Sequence, residues 1–175
     1  MKDLHQTVEL ALGALGSLGA QLYSARASAS KTNEFNVDGG KFSLFRTTLD
    51  ASLTLSAIKD QKRGMVSGNS FEEKAVRLAA ADCLAAAEAA QPDAAWDISG
   101  EGRGDFMDGA YQPDMDKLFF RTREMLDQIA GDYPKIMLEQ AVISHVQVDS
   151  LYENSKGVKY TSQSGCYEVS LMFSG

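Results

Sequence analysis

Histidine and cysteine, on which most metal sites and nucleophilic centres draw, number two each in these 175 residues, and proline only three. Two cysteines cannot build the disulfide framework of a small secreted domain, so Cys83 and Cys166 point to a reducing, cytoplasmic setting. Positive charge is also short. Lys and Arg total 17 against 24 Asp and Glu, a net charge of −7, which disfavours direct nucleic-acid contact. No apolar run nears the roughly 18 residues of a membrane span. In the N-terminal segment Met1-Lys2-Asp3-Leu4-His5, Asp3 and the later Glu9 interrupt any signal-peptide core. What is present is ordinary for a globular protein: 44% hydrophobic and 23% charged residues, enough for one packed domain.

The periodicity changes along the chain. Leu4, Val8, Ala11, Leu12 and Leu15 recur at helical spacing, and Gly19 is the expected stop. From Gln21 the period is two: Tyr23, Ala25, Ala27 and Ala29 alternate with Ser24, Arg26, Ser28 and Ser30. Asp38-Gly39-Gly40 predicts a hairpin turn. Beyond it Phe45, Leu49, Ala51, Leu53, Leu55 and Ala57 share the apolar face of a long strand. Phe42 and Leu44 fall on the other parity, which predicts a bulge or twist near Ser43–Phe45. Lys59-Asp60-Gln61-Lys62 predicts a second turn and a short strand around Gly64–Ser67. Ser70 and Glu73 have the spacing of a capping box before an alanine-rich helix that ends at Gln91-Pro92-Asp93.

Residues 93–113 read as a flexible, acidic, glycine-rich loop. Asp114 or Asp116 then caps a helix whose stripe is Met115, Leu118, Phe119, Met125, Leu126 and Ile129. Two strands follow. In the first, Ile136, Leu138, Val142, Val146, Val148 and Tyr152 share one face, opposed by Glu139, His145, Gln147 and Asp149. Asn154-Ser155-Lys156-Gly157 turns the chain into the second, which is expected to pair with the first and to turn Tyr167, Val169, Leu171 and Phe173 toward a core or a partner. The order α-βββ-α-loop-α-ββ defines an α+β fold with long antiparallel β-hairpins packed with helices. The apolar last strand stops abruptly at Ser174-Gly175, as a fragment of a longer chain would.

The residues that could carry chemistry are scattered. His5 and His145 lie on different elements without a second ligand at metal spacing, and each reads as a surface or rim residue. Cys83 sits among alanines expected to be buried, where a thiol is inert; Cys166 has no visible base. Gly100-x-Gly102-x-Gly104 does not follow a strand and open a helix, so it is not a dinucleotide fingerprint. Arg103-Gly104-Asp105 has the form of an adhesion tripeptide, but the chain shows no export signal. Asp105, Asp108, Asp114 and Asp116 could gather a hard cation, yet an acidic loop and a helix N-terminus account for them. No catalytic, cofactor-binding or metal residue is assigned.

Several segments in order do carry a resemblance. Ser30–Leu44, with Asp38-Gly39-Gly40 at its turn, is followed by the Lys59-Asp60-Gln61-Lys62-Arg63-Gly64 turn, the capped alanine helix with Gln91-Pro92-Asp93, and Asn154-Ser155-Lys156-Gly157. This series resembles the N-terminal domain of the TldD/PmbA family, metallopeptidases also labelled modulators of DNA gyrase, and within it the PmbA (TldE) branch. The resemblance covers nearly all of residues 1–175 and implies a single N-terminal domain of a longer chain. It also implies that zinc is held by a His-Glu-x-x-x-His motif in the C-terminal half of the catalytic TldD-type subunit. That segment has no counterpart here, so no cofactor is expected in this chain.

The function so implied is that of a non-catalytic domain contributing assembly surface to a complex that cleaves unfolded peptides or peptide precursors. Its partners would be a TldD-type subunit or its own C-terminal domain. The alternative is a free-standing module that binds extended peptides by β-strand addition, suggested by predicted strands of about 15 residues against a usual 5–6.

Overall fold

The computed structural model describes residues 4–175; Met1, Lys2 and Asp3 of the N-terminal segment read above lie outside it. The elements are α1 (Leu4–Ser17), β1 (Leu22–Asp38), β2 (Lys41–Lys59), β3 (Lys62–Gly68), α2 (Glu73–Ala89), β4 (Arg103–Gly109), α3 (Met115–Asp132), β5 (Met137–Asn154) and β6 (Lys159–Ser174). Three helices and one sheet of order β3-β2-β1-β5-β6-β4 make an α+β fold. The expected order holds with one addition. Within 93–113, read from the sequence as loop, Arg103–Gly109 forms β4.

Strand direction follows from the bonds at the strand ends. Gly39 N–H donates to the Glu139 carbonyl and Ser155 N–H to the Tyr23 carbonyl, so β1 and β5 are antiparallel. β2 and β3 are antiparallel from Leu53↔Gly68 to Lys59↔Lys62. β6 pairs with β5, as expected, across the Asn154–Gly157 turn. β4 runs parallel to β6: Lys159 N–H donates to the Gly102 carbonyl at their starts, and the Thr161 hydroxyl meets Asp105 further along. Glycine and β-turn spacing alone could not reveal this strand, because five of its seven side chains are polar, charged or absent and nearly all are exposed.

The chain divides into two compact units, to both of which β1, β2, β4, β5 and β6 contribute. The first comprises 4–29, Asp50–Met107 and Asp149–Gln163. There α1 and α2 cover one face of the sheet. Val8, Ala11 and Leu15 of α1, Val76, Ala80 and Cys83 of α2, Ala25 and Ala27 of β1, Leu53, Leu55 and Ala57 of β2 and Leu151 of β5 form its core. Small residues bring α2 close. A Cβ on Gly64 of β3 would lie 2.1 Å from the Cys83 carbonyl oxygen. Gly19 ends α1 with φ +89, as its position predicts. The capping box does not form: Ser70 Oγ accepts from Glu72 N–H (3.2 Å), and the N-cap Glu72 makes no side-chain cap bond. Ser70 lies two residues before the N-cap Glu72, too far for its hydroxyl to reach the N3 amide.

The second unit comprises Ser30–Leu49, Asp108–Val148 and Ser164–Gly175. Asp114 caps α3, its carboxylate accepting from Lys117 N–H at 2.9 Å. Leu126 of α3 packs with Val37, Leu138, Ala141 and Ile143, and Leu118, Met125 and Ile129 join them. Gly39 and Gly40, at φ +55 and +75, make the predicted two-residue turn. That turn opposes Asp38 to Lys41, and counting onward would face Phe35 with Leu44. Instead Phe35 packs on Phe45 (centroids 4.7 Å), Glu34 pairs with Arg46 (2.9 Å) and Thr47 donates to Asn33 (2.9 Å). One extra residue of β2 is therefore accommodated between Lys41 and Phe45, where the parity change in the sequence placed it.

The faces are buried unequally. On β5, Leu138 of the apolar series is buried, but Val142, Val146, Val148 and Tyr152 are only half-buried and Ile136, just before the strand, is exposed; Ala141, Ile143, Ser144, His145, Leu151 and Asn154 are buried as well. On β6, Tyr167, Val169, Leu171 and Phe173 are 39–57% exposed, so of the two expectations the core is not what covers them. Alternation identifies a strand's two faces, but which face meets a helix is set by the neighbouring elements.

Candidate functional site

The chemistry-bearing residues singled out in the sequence do not converge in the fold, and one of them is misplaced. His145, expected at the surface, is wholly buried. Its Nε2–H donates to the Ala110 carbonyl at 2.6 Å, its ring meets the edge of Tyr167 at 4.7 Å, and its Nδ1 has no hydrogen-bond partner. The Tyr167 hydroxyl in turn accepts from Asp114 N–H (2.8 Å). The burial is a tertiary effect: His145 follows the buried Ile143 on β5, and the Ala110 carbonyl, 35 residues away along the chain, meets the ring. His5 lies on α1, 3.4 Å from Lys159 Nζ.

Cys83 is buried and its thiol is pushed up by desolvation, the inert state expected of it. Cys166 is exposed; desolvation and then the Glu168 carboxylate raise its thiol as well. Asp105 is engaged by Thr161 and Asp114 by the α3 N-terminus. Among the described residues no group of three His, Cys, Asp or Glu side chains gathers as metal ligands would. No helix is long and apolar enough to cross a membrane.

What the fold does assemble is a groove that the sequence reading passed over. In the first unit, the sheet face opposite α1 and α2 carries Ser24 and Arg26 of β1, Thr54, Ser56 and Ile58 of β2, Arg63 and Met65 of β3 and Tyr152 of β5. The segment Asp93–Ser99 straps this face. At one end Asp93 N–H donates to the Gln61 carbonyl (2.7 Å) and Trp96 lies over the Arg63 guanidinium at 4.8 Å. At the other, Lys156 Nζ donates to the Asp97 carboxylate (2.5 Å) and the Ile98 carbonyl (3.0 Å). Asn154 completes the anchor. Its amide donates to the Ser99 carbonyl (2.9 Å) while its side-chain oxygen accepts from Lys156 and Val158 N–H (3.0 and 3.1 Å). The Asn154-Ser155-Lys156-Gly157 turn thus holds the strap as well as reversing the chain.

Between strap and sheet lies a groove of about 370 Å³, within the size range of small-ligand sites. The Lys156 ammonium holds the Asp97 carboxyl below its ordinary range, with the Ile98 N–H second, so the one carboxylate lining the groove is already paired. The signals available in the sequence were the chain's single tryptophan, set in a stretch otherwise short of large apolar residues, and two arginines at polar positions of alternating strands.

The notable feature of β2 is an open edge. Among the described residues it has only β3 and β1 as neighbours, and β3 pairs no further than Leu53, so Lys41–Ser52 present one unpaired edge. Leu44, Phe45 and Leu49 there are 47%, 54% and 70% exposed, a surface of the kind that partners cover.

Neither a protein-family model nor a curated protein matches the chain. Solved structures do. TldE from Thermococcus kodakarensis superposes with a TM-score of 0.79 at 17% identity, over 97% of this chain and 39% of its own. A proposed modulator of DNA gyrase from Bacteroides thetaiotaomicron gives 0.74 at 14% identity, over 97% and 40%. A proposed DNA gyrase modulator from Thermotoga maritima gives 0.66 at 13%, over 98% and 40%. The class defined is an α+β domain with a mixed six-stranded sheet. Its fold is that of part of TldE and of the gyrase-modulator proteins, and the chain spans about 40% of their length.

Proposed function

We propose that this chain is the N-terminal, non-catalytic domain of a TldD/PmbA-type metallopeptidase subunit of the PmbA (TldE) branch. The observation that carries the reading is the superposition on TldE over 97% of the chain. The ordered turn motifs and the unpaired, apolar Lys41–Ser52 edge support it, the edge being a surface suited to assembly. In this reading proteolysis of unfolded peptides or precursors belongs to the full complex, and zinc to the C-terminal half of the TldD-type subunit. The domain supplies an assembly surface, in the cytoplasm. Light scattering after size-exclusion of the chain mixed with a TldD-type subunit tests this. Co-elution as a heteromer at about 10 µM each is expected, and separate elution counts against it.

A second reading is favoured by the same edge. β-strand addition to Lys41–Ser52 would capture an extended peptide through main-chain bonds, with Phe45 and Leu49 taking alternate side chains. Amide exchange distinguishes it: protection confined to 41–52 on adding an unfolded peptide, without any partner subunit, would favour the free-standing module.

A further inference from the structure

We infer that the strapped groove of the first unit is a binding site for a carboxylate carried on a small apolar body. The inference does not rest on the family reading. Neither Arg26 nor Arg63 forms an ion pair among the described residues, although the chain has seven more acidic than basic residues. Arg63 is held in place. Its Nε donates to Ser56 Oγ at 3.2 Å and its guanidinium lies against Trp96, leaving the two terminal nitrogens as donors. A fixed guanidinium with free donors matches a carboxylate, and a second, Arg26, lines the same groove.

The rest of the lining narrows the ligand. Ile58, Met65, Trp96, Ile98 and Tyr152 make most of the groove wall apolar or aromatic. A bare phosphate would gain nothing from these walls, whereas an aliphatic group behind a carboxylate would be desolvated by them. The C-terminal carboxylate of a peptide ending in an apolar residue and a free branched-chain acid share this chemistry.

Trp96 is the only tryptophan in the chain, so its fluorescence reports occupancy directly. The titrants are acetyl-Ala-Ala-Leu with a free carboxylate, the same peptide amidated, 4-methylpentanoate and inorganic phosphate. A saturable Trp96 change with the free-carboxylate peptide or the free acid is expected, weakened at least about tenfold by amidation and by Arg26→Gln. Arg26 is an exposed strand residue, and unchanged circular dichroism of that variant confirms the fold. Arg63→Lys, which keeps the charge and removes the fork, should weaken binding similarly. Tighter binding of the peptide assigns a chain terminus, and tighter binding of the acid a free small molecule. No Trp96 response up to about 10 mM, equal affinity for the amidated peptide, or preference for phosphate would overturn the assignment.

Discussion

At the scale of single residues, packing here turns on two glycine-like requirements that differ in kind. Gly64 is required by space: a methyl group would meet the Cys83 carbonyl oxygen at 2.1 Å and the Ala87 nitrogen at 2.5 Å, both backbone atoms of α2. Gly64→Ala should therefore cost about 1–3 kcal/mol in urea unfolding, as overpacking does. Gln61 shows the opposite case. It sits at φ +61, with Asp60 at +51, in a turn that glycine would occupy without strain. Gln61→Gly should raise stability by about 1 kcal/mol, read from the same urea midpoints.

The thiols make a third residue-scale test. Ellman's reagent should titrate Cys166 alone in the folded chain and both cysteines in denaturant, with Cys166 slower at neutral pH than an ordinary thiol because desolvation and Glu168 raise it. Sequence sufficed for Cys83, since it falls at helical spacing on the stripe of Val76, Ala80, Leu84 and Ala87 that α2 buries. It failed for His145, whose burial depends on a carbonyl 35 residues away along the chain.

At the scale of elements, the turns, the α3 cap and the β5–β6 hairpin were readable because their chemistry is local, whereas the α2 cap and the edge strand β4 were not. Asp114 binds the α3 N-terminus and Ser70 does not make the equivalent bond for α2. Asp114→Ala should cost about 0.5–2 kcal/mol, and Ser70→Ala measurably less, by thermal unfolding. β4 was missed because a parallel edge strand owes its form to backbone bonds with β6, which a sequence of glycines and acids does not announce. Removing residues 103–109 strips a partner from β6 and should lower the melting temperature. Removing Tyr167–Gly175, whose apolar side chains are half exposed, should cost less than full burial would have implied.

The strap adds a pH dependence. Asp97 titrates below its ordinary range because of Lys156. A depressed carboxylate contributes above its unfolded titration and loses that contribution as pH falls through the folded one. Trp96 fluorescence should therefore stay constant from neutral to mildly acidic pH and change only at lower pH, and Asp97→Asn should abolish that step.

At the scale of the molecule, the α+β architecture, the hairpins and the pairing of β5 with β6 were all readable in the sequence, because period-two runs separated by turn residues define them. The groove was not, since its walls come from four strands and a strap that approach only in the fold. The role proposed for this chain is to contribute structure and assembly to a peptidase whose hydrolysis is done elsewhere. It is tested most directly by incubating an unfolded peptide and zinc with the chain alone, with a TldD-type subunit alone, and with the two together. The account predicts no cleavage by the chain alone and cleavage wherever the TldD-type subunit is present in its complex. Turnover by the chain alone that follows its purification profile would contradict it.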